Sequence, residues 1–316
     1  MLTGSDFLSN LQVLKEEYDK SPKEVMSKLE LISNQISKMK EPELRAENLL
    51  NLGKFLLEIA QNKEAYNSLQ LSLKLYEKQS NNSKIIYCYY FIGVSSLRLN
   101  IFDEARKYFL LAYNTTTEVS NNTIYYNSAI HIGRINNELG HYDAALKYLF
   151  IALKGYKENN NKENIAGAYS NIGISYNDIG FYDKSIEYHL KAVELCIKLK
   201  KDNMLVSVYI NLGSTYQNSG NYDSALDYYY KGLEISKEKH FLSKEIFCLN
   251  NIGEVYSLQQ KTDYALKYFL EAYEILSVDD KYPMASIMFN LSQVYFVKEQ
   301  FEMVFKYLNK AIELAE

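Results

Sequence analysis

The chain contains no Trp, only 3 Pro and only 13 Gly in 316 residues. So few breakers leave little material for the tight turns of a β sandwich and favour long helices. The three Cys (Cys88, Cys196, Cys248) are odd in number and widely spaced. They fit reduced thiols in a cytosolic protein rather than a disulfide framework. No apolar run reaches the roughly 18 residues of a membrane span, and Met1–Asn10 lacks a basic stretch followed by an apolar one. No membrane helix or signal peptide is readable, and a cytoplasmic location is expected. Arg is scarce as well, with only Arg45, Arg98, Arg106 and Arg134. A net charge of −4, from 35 basic and 39 acidic residues, makes nucleic acid a poor candidate partner, since that needs a basic face. Against these shortages stand 47% hydrophobic residues, enough for a sizeable core, and 30 Tyr.

A repeat dominates what remains. Glycines in one local motif recur at Gly53, Gly93, Gly133, Gly173, Gly213 and Gly253, a spacing of 40 five times running. Asn290-Leu291-Ser292 is a further copy after 39 residues, and Leu11-Gln12-Val13 is a degenerate one at the start. Twelve residues after each glycine stands a second small residue: Ala65, Ala105, Ala145, Ser185, Ala225 and Ala265, with Val304 in the shortened copy and Val25 in the first. Two residues before most of these comes Asp103, Asp143, Asp183, Asp223 or Asp263. The copies span about 1–40 (degenerate), 41–80, 81–120, 121–160, 161–200, 201–240, 241–279 and 280–316, one array covering the chain.

Each copy reads as two helices. Ile165, Tyr169, Ile172 and Tyr176 form an apolar stripe at three- and four-residue steps. Gly180 then offers a position suited to positive φ, and Asp183 is expected to cap the next helix, whose stripe is Ile186, Leu190, Val193 and Ile197. Polar turns such as Asn121-Asn122 and Asn159-Asn160-Asn161 separate the copies. The glycines are expected to let the two helices of a hairpin approach with no side chain between them. Gly155, in mid-helix and outside this frame, is expected to gain stability as Ala. A lone hairpin leaves an apolar face, so hairpins must stack. The fold class is all-α, an α-solenoid of about eight antiparallel helix pairs.

Chemistry-bearing motifs are missing. The four His (His131, His141, His189, His240) show no metal-ligand spacing, and no His-Glu-x-x-His, Cys-x-x-Cys or phosphate loop occurs. Asp279-Asp280 reads as a solvated turn. No enzyme, cofactor or metal site is expected in this chain. Tyr-rich runs (Tyr87–Tyr90, Tyr228–Tyr230) can be read as a recognition surface or as filling for the large core positions of the repeat, and the second reading is favoured.

The frame resembles the tetratricopeptide repeat. Tyr169, Ile172, Gly173, Tyr176, Ser185, His189 and Ala192 match its positions in one copy. Leu249, Ile252, Gly253, Tyr256, Ala265, Phe269 and Ala272 match them in another. The period is longer than the family's usual one, and its closing Pro is replaced by Thr117, Lys157, Ile197 and Lys237. This longer form is similar to the arrays of kinesin light chains, Leu-Gly-Asn-repeat adaptors and bacterial sensory proteins.

The resemblance implies a right-handed superhelix whose first helices line a concave groove. Two residues before each glycine the groove would then present Asn51, Phe91, His131, Asn171, Asn211, Asn251 and Asn290. One residue after the glycine it would present Lys54, Arg134 and Glu254. Four and five after, it would present Asn137, Asn177, Gln217, Arg98, Glu138, Asp178 and Asn218. Carboxamides can donate to and accept from a peptide backbone. The alternative is that these Asn only bond the neighbouring repeat. Arg98 and Arg134 suit a carboxylate, with an Arg98–Glu138 ion pair as the rival reading.

The leading expectation is a scaffold that holds an extended peptide or protein segment in that groove. An alternative is the sensory region of a larger signalling protein with an output domain beyond residue 316, since no polar cap helix follows Ile312-Glu313-Leu314-Ala315-Glu316. A third reading is a scaffold that forms homo-oligomers through its terminal repeats.

Overall fold

Apolar stripes interrupted by a chain reversal every twenty residues dictate a string of helices. The computed structural model, which describes residues 4–116, 123–276 and 281–315, contains sixteen of them and no strand among those residues. Thr117, Asn121-Asn122 and Asp279-Asp280 lie outside the described residues.

Contacts divide the chain into two compact units, 1–155 and 156–316. The first unit holds α1 (Gly4–Tyr18), α2 (Pro22–Ser37), α3 (Pro42–Glu58), α4 (Asn62–Lys78), α5 (Asn82–Arg98), α6 (Phe102–Thr115), α7 (Thr123–Glu138) and most of α8 (Tyr142–Glu158). The second holds α9 (Lys162–Asp178), α10 (Tyr182–Lys198), α11 (Asp202–Asn218), α12 (Tyr222–Glu238), α13 (Leu242–Leu258), α14 (Thr262–Ile275), α15 (Lys281–Val297) and α16 (Phe301–Ala315). In both units each helix packs on the next in sequence, and the first helices of successive repeats also touch one another. Among the described residues the second helices α4 and α6, or α10 and α12, do not. First helices therefore form the inner side of each unit.

The reversals share one design. Backbone φ is positive at Ala60, Ser80, Asn100, Gly140, Asn160, Gly180, Lys200, Gly220, His240, Gln260 and Glu299. Beyond each lies a six-to-one hydrogen bond, such as Phe181 N–H to the Tyr176 carbonyl at 2.8 Å and Lys201 N–H to Cys196 at 3.0 Å. This left-handed C-terminal cap satisfies helix-end carbonyls. Gly180 behaves as the sequence implies, with φ at 82°.

Asp183 does not cap α10. The N-cap is Phe181, and Asp183 is the helix's second residue, as Asp103, Asp223 and Asp263 are in α6, α12 and α14. There a carboxylate acts on the positive end of the helix dipole instead of on one N–H. Side-chain caps come from Asn81, Asn161 and Asn221, which accept from Lys84, Asn164 and Ser224.

The frame glycines do let the paired helices approach, since a Cβ on Gly53 would lie 3.4 Å from the Ala65 carbonyl oxygen and one on Gly133 3.2 Å from that of Ala145, but they also do more. What fills the space beside each is a large side chain sixteen residues on. A Cβ on Gly53 would meet Leu69 at 2.5 Å, on Gly93 Phe109 at 2.9 Å, on Gly173 His189 at 2.6 Å, and on Gly213 Tyr229 at 2.5 Å. Glycine therefore makes a socket for a core side chain. Gly155 is a socket too, because its Cβ would lie 2.2 Å from the Tyr126 ring, so the expected gain on substitution with Ala is overturned. The second small marker is fully buried at Ala65, Ala105, Ala145, Ser185, Ala225 and Ala265.

Candidate functional site

The groove candidates lie on first helices in both units, and each unit is described separately. In the first, His131 on α7 is half-buried, with its ring stacked 4.6 Å from Phe109 at 14°. Desolvation lowers its imidazole to about 3, helped by the nearby charges of Arg134 and Arg98. Its Nδ1 is buried without a hydrogen-bond partner. Arg98 donates to the Leu57 carbonyl of the preceding first helix, so it caps α3 in place of the rival pairing with Glu138. Arg134 is exposed on the same side, Asn137 is buried, and the Lys54 ammonium stands 5.4 Å from the Phe91 ring centroid.

In the second unit a polar seam joins first helix to first helix. Asn211 donates from Nδ2 to Ser170 Oγ at 3.2 Å, and Asn218 donates to Asn177 Oδ1 at 3.1 Å. Asn290 donates to Asn250 Oδ1 at 2.9 Å and to Glu254 Oε1 at 3.2 Å. Asn171 turns back on its own helix, donating to the Gly167 carbonyl at 2.8 Å. Gln217 Oε1 accepts from the Tyr229 hydroxyl at 2.9 Å, and Asn251 is half-buried. The Asn positions are thus brought to one side of the unit, and part of their hydrogen-bonding capacity goes to holding neighbouring repeats in register. An amide such as that of Asn211, with one N–H engaged, still has a carbonyl oxygen and a second N–H to offer.

Among the described residues most Tyr are half-buried, and Tyr76, Tyr108, Tyr156, Tyr209, Tyr229, Tyr295 and Tyr307 are buried. Tyr76 and Tyr229 are fully buried, whereas Tyr87 is exposed. Stacked pairs recur along the second unit between the two helices of a hairpin: Tyr176–Tyr188 at 5.7 Å, Tyr216–Tyr228 at 5.6 Å, Tyr256–Tyr268 at 5.6 Å and Tyr295–Tyr307 at 5.6 Å. Tyr230 bridges two of these rings through its hydroxyl, 3.0 Å from Tyr256 and 2.8 Å from Tyr268. Burial and those neighbours push its ionisation well upward. Sequence reasoning missed this ladder, although the recurrence of Tyr at both positions was the available signal.

Cys88, Cys196 and Cys248 are all buried thiols, pushed up to about 11, about 11 and about 12 by desolvation. Among the described residues no cluster of His, Cys, Asp or Glu is gathered as a metal site. None of the described helices is long and apolar enough to cross a membrane.

Hairpins of this pattern define a helical-repeat protein built on stacked pairs. Comparison with known families matches the tetratricopeptide repeat over residues 164–238 and 245–316, so those two stretches carry tetratricopeptide repeats. Among solved structures, the apo form of RapI is similar with a TM-score of 0.64 at 16% identity, over 98% of this chain and 97% of that one. A Rap protein complexed with Competence and Sporulation Factor gives 0.63 at 14% identity, over 98% of each chain. NprR in complex with its cognate peptide NprX gives 0.63 at 15%, over 98% of this chain and 87% of that one. At these identities the likeness is one of fold. No curated protein matches the sequence.

Proposed function

We propose that this chain is a peptide-binding scaffold that holds an extended segment against the first-helix side of its repeats. The observation that carries this reading is the placement of Asn171, Asn211 and Asn251 on that side, half-buried, with Gln217, Asn218 and Asn177 beside them. An amide held at one N–H by a neighbouring repeat is ordered before a ligand arrives, which lowers the entropy lost on binding. The remaining donor and acceptor then address peptide backbone, and pockets between repeats select side chains. Arg134 and Arg98, both exposed, would favour a carboxylate on the segment. Support by analogy comes from the Rap complex with Competence and Sporulation Factor and the NprR complex with NprX, which share the fold.

The test begins with a peptide partner captured by pull-down and titrated by calorimetry. Changing Asn171 and Asn211 together to Ala should weaken binding by about tenfold or more, at about 1 kcal/mol for each lost hydrogen bond. Second-helix changes such as Lys191→Ala or Lys231→Ala should have little effect. The reverse pattern would place the peptide on the outer side.

A further inference from the structure

In the first unit α2, α3 and α4 surround a half-open cavity of about 460 Å³. Leu29, Leu52 and Leu56 give it apolar walls, and Leu71, Glu30 and Glu64, all exposed, stand at its open side. That volume falls within the roughly 300–1,000 Å³ of small-molecule sites.

The next junction shows how such a space can be filled, and at the Ser68 position Tyr108, Tyr148, Tyr188, Tyr228 and Tyr268 recur in the later copies. Forty residues on, at the junction of α4, α5 and α6, three tyrosines occupy the equivalent positions: Tyr66 for Met26, Tyr89 for Leu49 and Tyr108 for Ser68. At that junction the Tyr66 hydroxyl donates to Glu104 Oε1 at 2.7 Å. Gln70 donates to the Tyr108 hydroxyl at 2.7 Å and to that of Tyr66 at 3.1 Å. The Tyr89 and Tyr108 rings lie 6.1 Å apart. Glu104 is the counterpart of Glu64, and Gln70 that of Glu30. One junction is therefore filled by phenols that satisfy a carboxylate. The other keeps the carboxylate, adds a second one, and has smaller or more flexible side chains in place of all three rings. No Lys or Arg is among the described lining residues, and neither Glu30 nor Glu64 bonds a described residue.

We propose that this cavity binds a small aromatic amine carrying a phenolic hydroxyl. The ring occupies the volume that tyrosines fill one repeat further on. The hydroxyl donates to Glu64 as Tyr66 donates to Glu104, and the ammonium pairs with Glu30. The site is separate from the first-helix residues of the peptide reading and does not depend on them.

Tyramine is the probe, with p-cresol and phenethylamine as the forms lacking one group each, titrated by calorimetry into the full chain. The parent should bind tyramine about tenfold more tightly than either. Glu64→Ala, which leaves no acceptor for the phenolic O–H, should remove the preference for tyramine over phenethylamine. Glu30→Gln should remove the preference over p-cresol. Met26→Tyr with Ser68→Tyr, which restores the pattern of the next repeat, should abolish binding and raise Tm. Failure of the parent to bind tyramine at millimolar concentration, with the double variant still more stable, would mean an unfilled packing gap and overturn the proposal. Tyramine binding that is indifferent to both Glu variants would overturn it as well, and that arm stands even if the double variant does not fold.

Discussion

A glycine that receives a neighbour's side chain is among the least replaceable residues in a core, because any Cβ displaces the guest. Gly213 holds Tyr229, a fully buried ring, at a would-be contact of 2.5 Å. Gly213→Leu is therefore expected to cost about 3 kcal/mol or more, through overpacking and expulsion of the ring. Gly155→Ala should also destabilise, by about 1–3 kcal/mol, since Tyr126 lies at 2.2 Å. Gly167 sits in α9 with nothing within 4 Å of its would-be Cβ. There Ala should add about 0.5–1 kcal/mol of helix propensity. Midpoints of denaturant unfolding rank the three, and any other order would mean that the sockets are not tight. The guest over Gly173 is His189, whose two ring nitrogens are buried without partners. Desolvation lowers its imidazole to about 3 from an ordinary 6.5. Above pH 6.5 neither state is protonated there. Below it the unfolded chain takes up a proton that the folded one refuses, so stability falls from pH 6.5 towards 3. At pH 5 the loss is about 2 kcal/mol. Leu149 and Phe269 fill the same socket in other repeats. The imidazole of His131, also lowered to about 3, adds an equal share, so His189→Leu should remove about half of the slope from the two groups, and stability measured from pH 7 to 5 with an unchanged slope would refute the assignment.

At the scale of one element, the hairpin's beginning and end are set by different residues from those that mark it in the sequence. Asp183 and its equivalents form a conspicuous series, yet they lie inside the first turn, and the chain direction is decided at the left-handed residue before the cap. Asn221→Ala should thus cost about 1 kcal/mol by removing the bond to Ser224, while Asp183→Asn should cost about 0.3–1 kcal/mol through the dipole alone. Thermal unfolding of the two variants compares them, and salt should reduce only the second effect. The helices themselves were legible in the sequence, because Gly and small residues spaced by 40 with stripes such as Ile165, Tyr169, Ile172 and Tyr176 leave no other regular structure. Their ends were legible only where glycine marks them. Ala60, Lys200 and Gln260 adopt the same left-handed conformation as Gly180, but carry no signal for it, since the capping hydrogen bonds there outweigh the steric cost of the side chain.

Across the whole molecule, the side on which candidate residues lie could be read from the repeat, and their bonding could not. Asn211 and Asn290 recur in sequence as equivalents, yet one reaches a serine and the other an asparagine and a glutamate, because the residues they face differ. The cavity beside α2 was also invisible, since it lies where Met26, Leu49 and Ser68 stand in place of the three rings of the next junction. That difference has a consequence for dynamics. In stacked repeats stability is a sum of local and nearest-neighbour terms, so a poorly filled junction opens at lower free energy than the rest. Val25, Leu29 and Ile36 are the buried residues of α2, whereas α11 buries Leu205, Val206, Val208, Tyr209, Leu212, Gly213 and Thr215. Hydrogen exchange should therefore be faster at the mid-helix amides of α2 than at those of α11, by at least about a hundredfold for a difference of about 3 kcal/mol. Met26→Tyr with Ser68→Tyr should slow exchange in α2 and leave α11 unchanged, because the added contacts are local. Equal protection of the two helices in the parent would show that the cavity does not weaken its junction. Slowing in both helices of the variant would show that the chain opens as one cooperative unit.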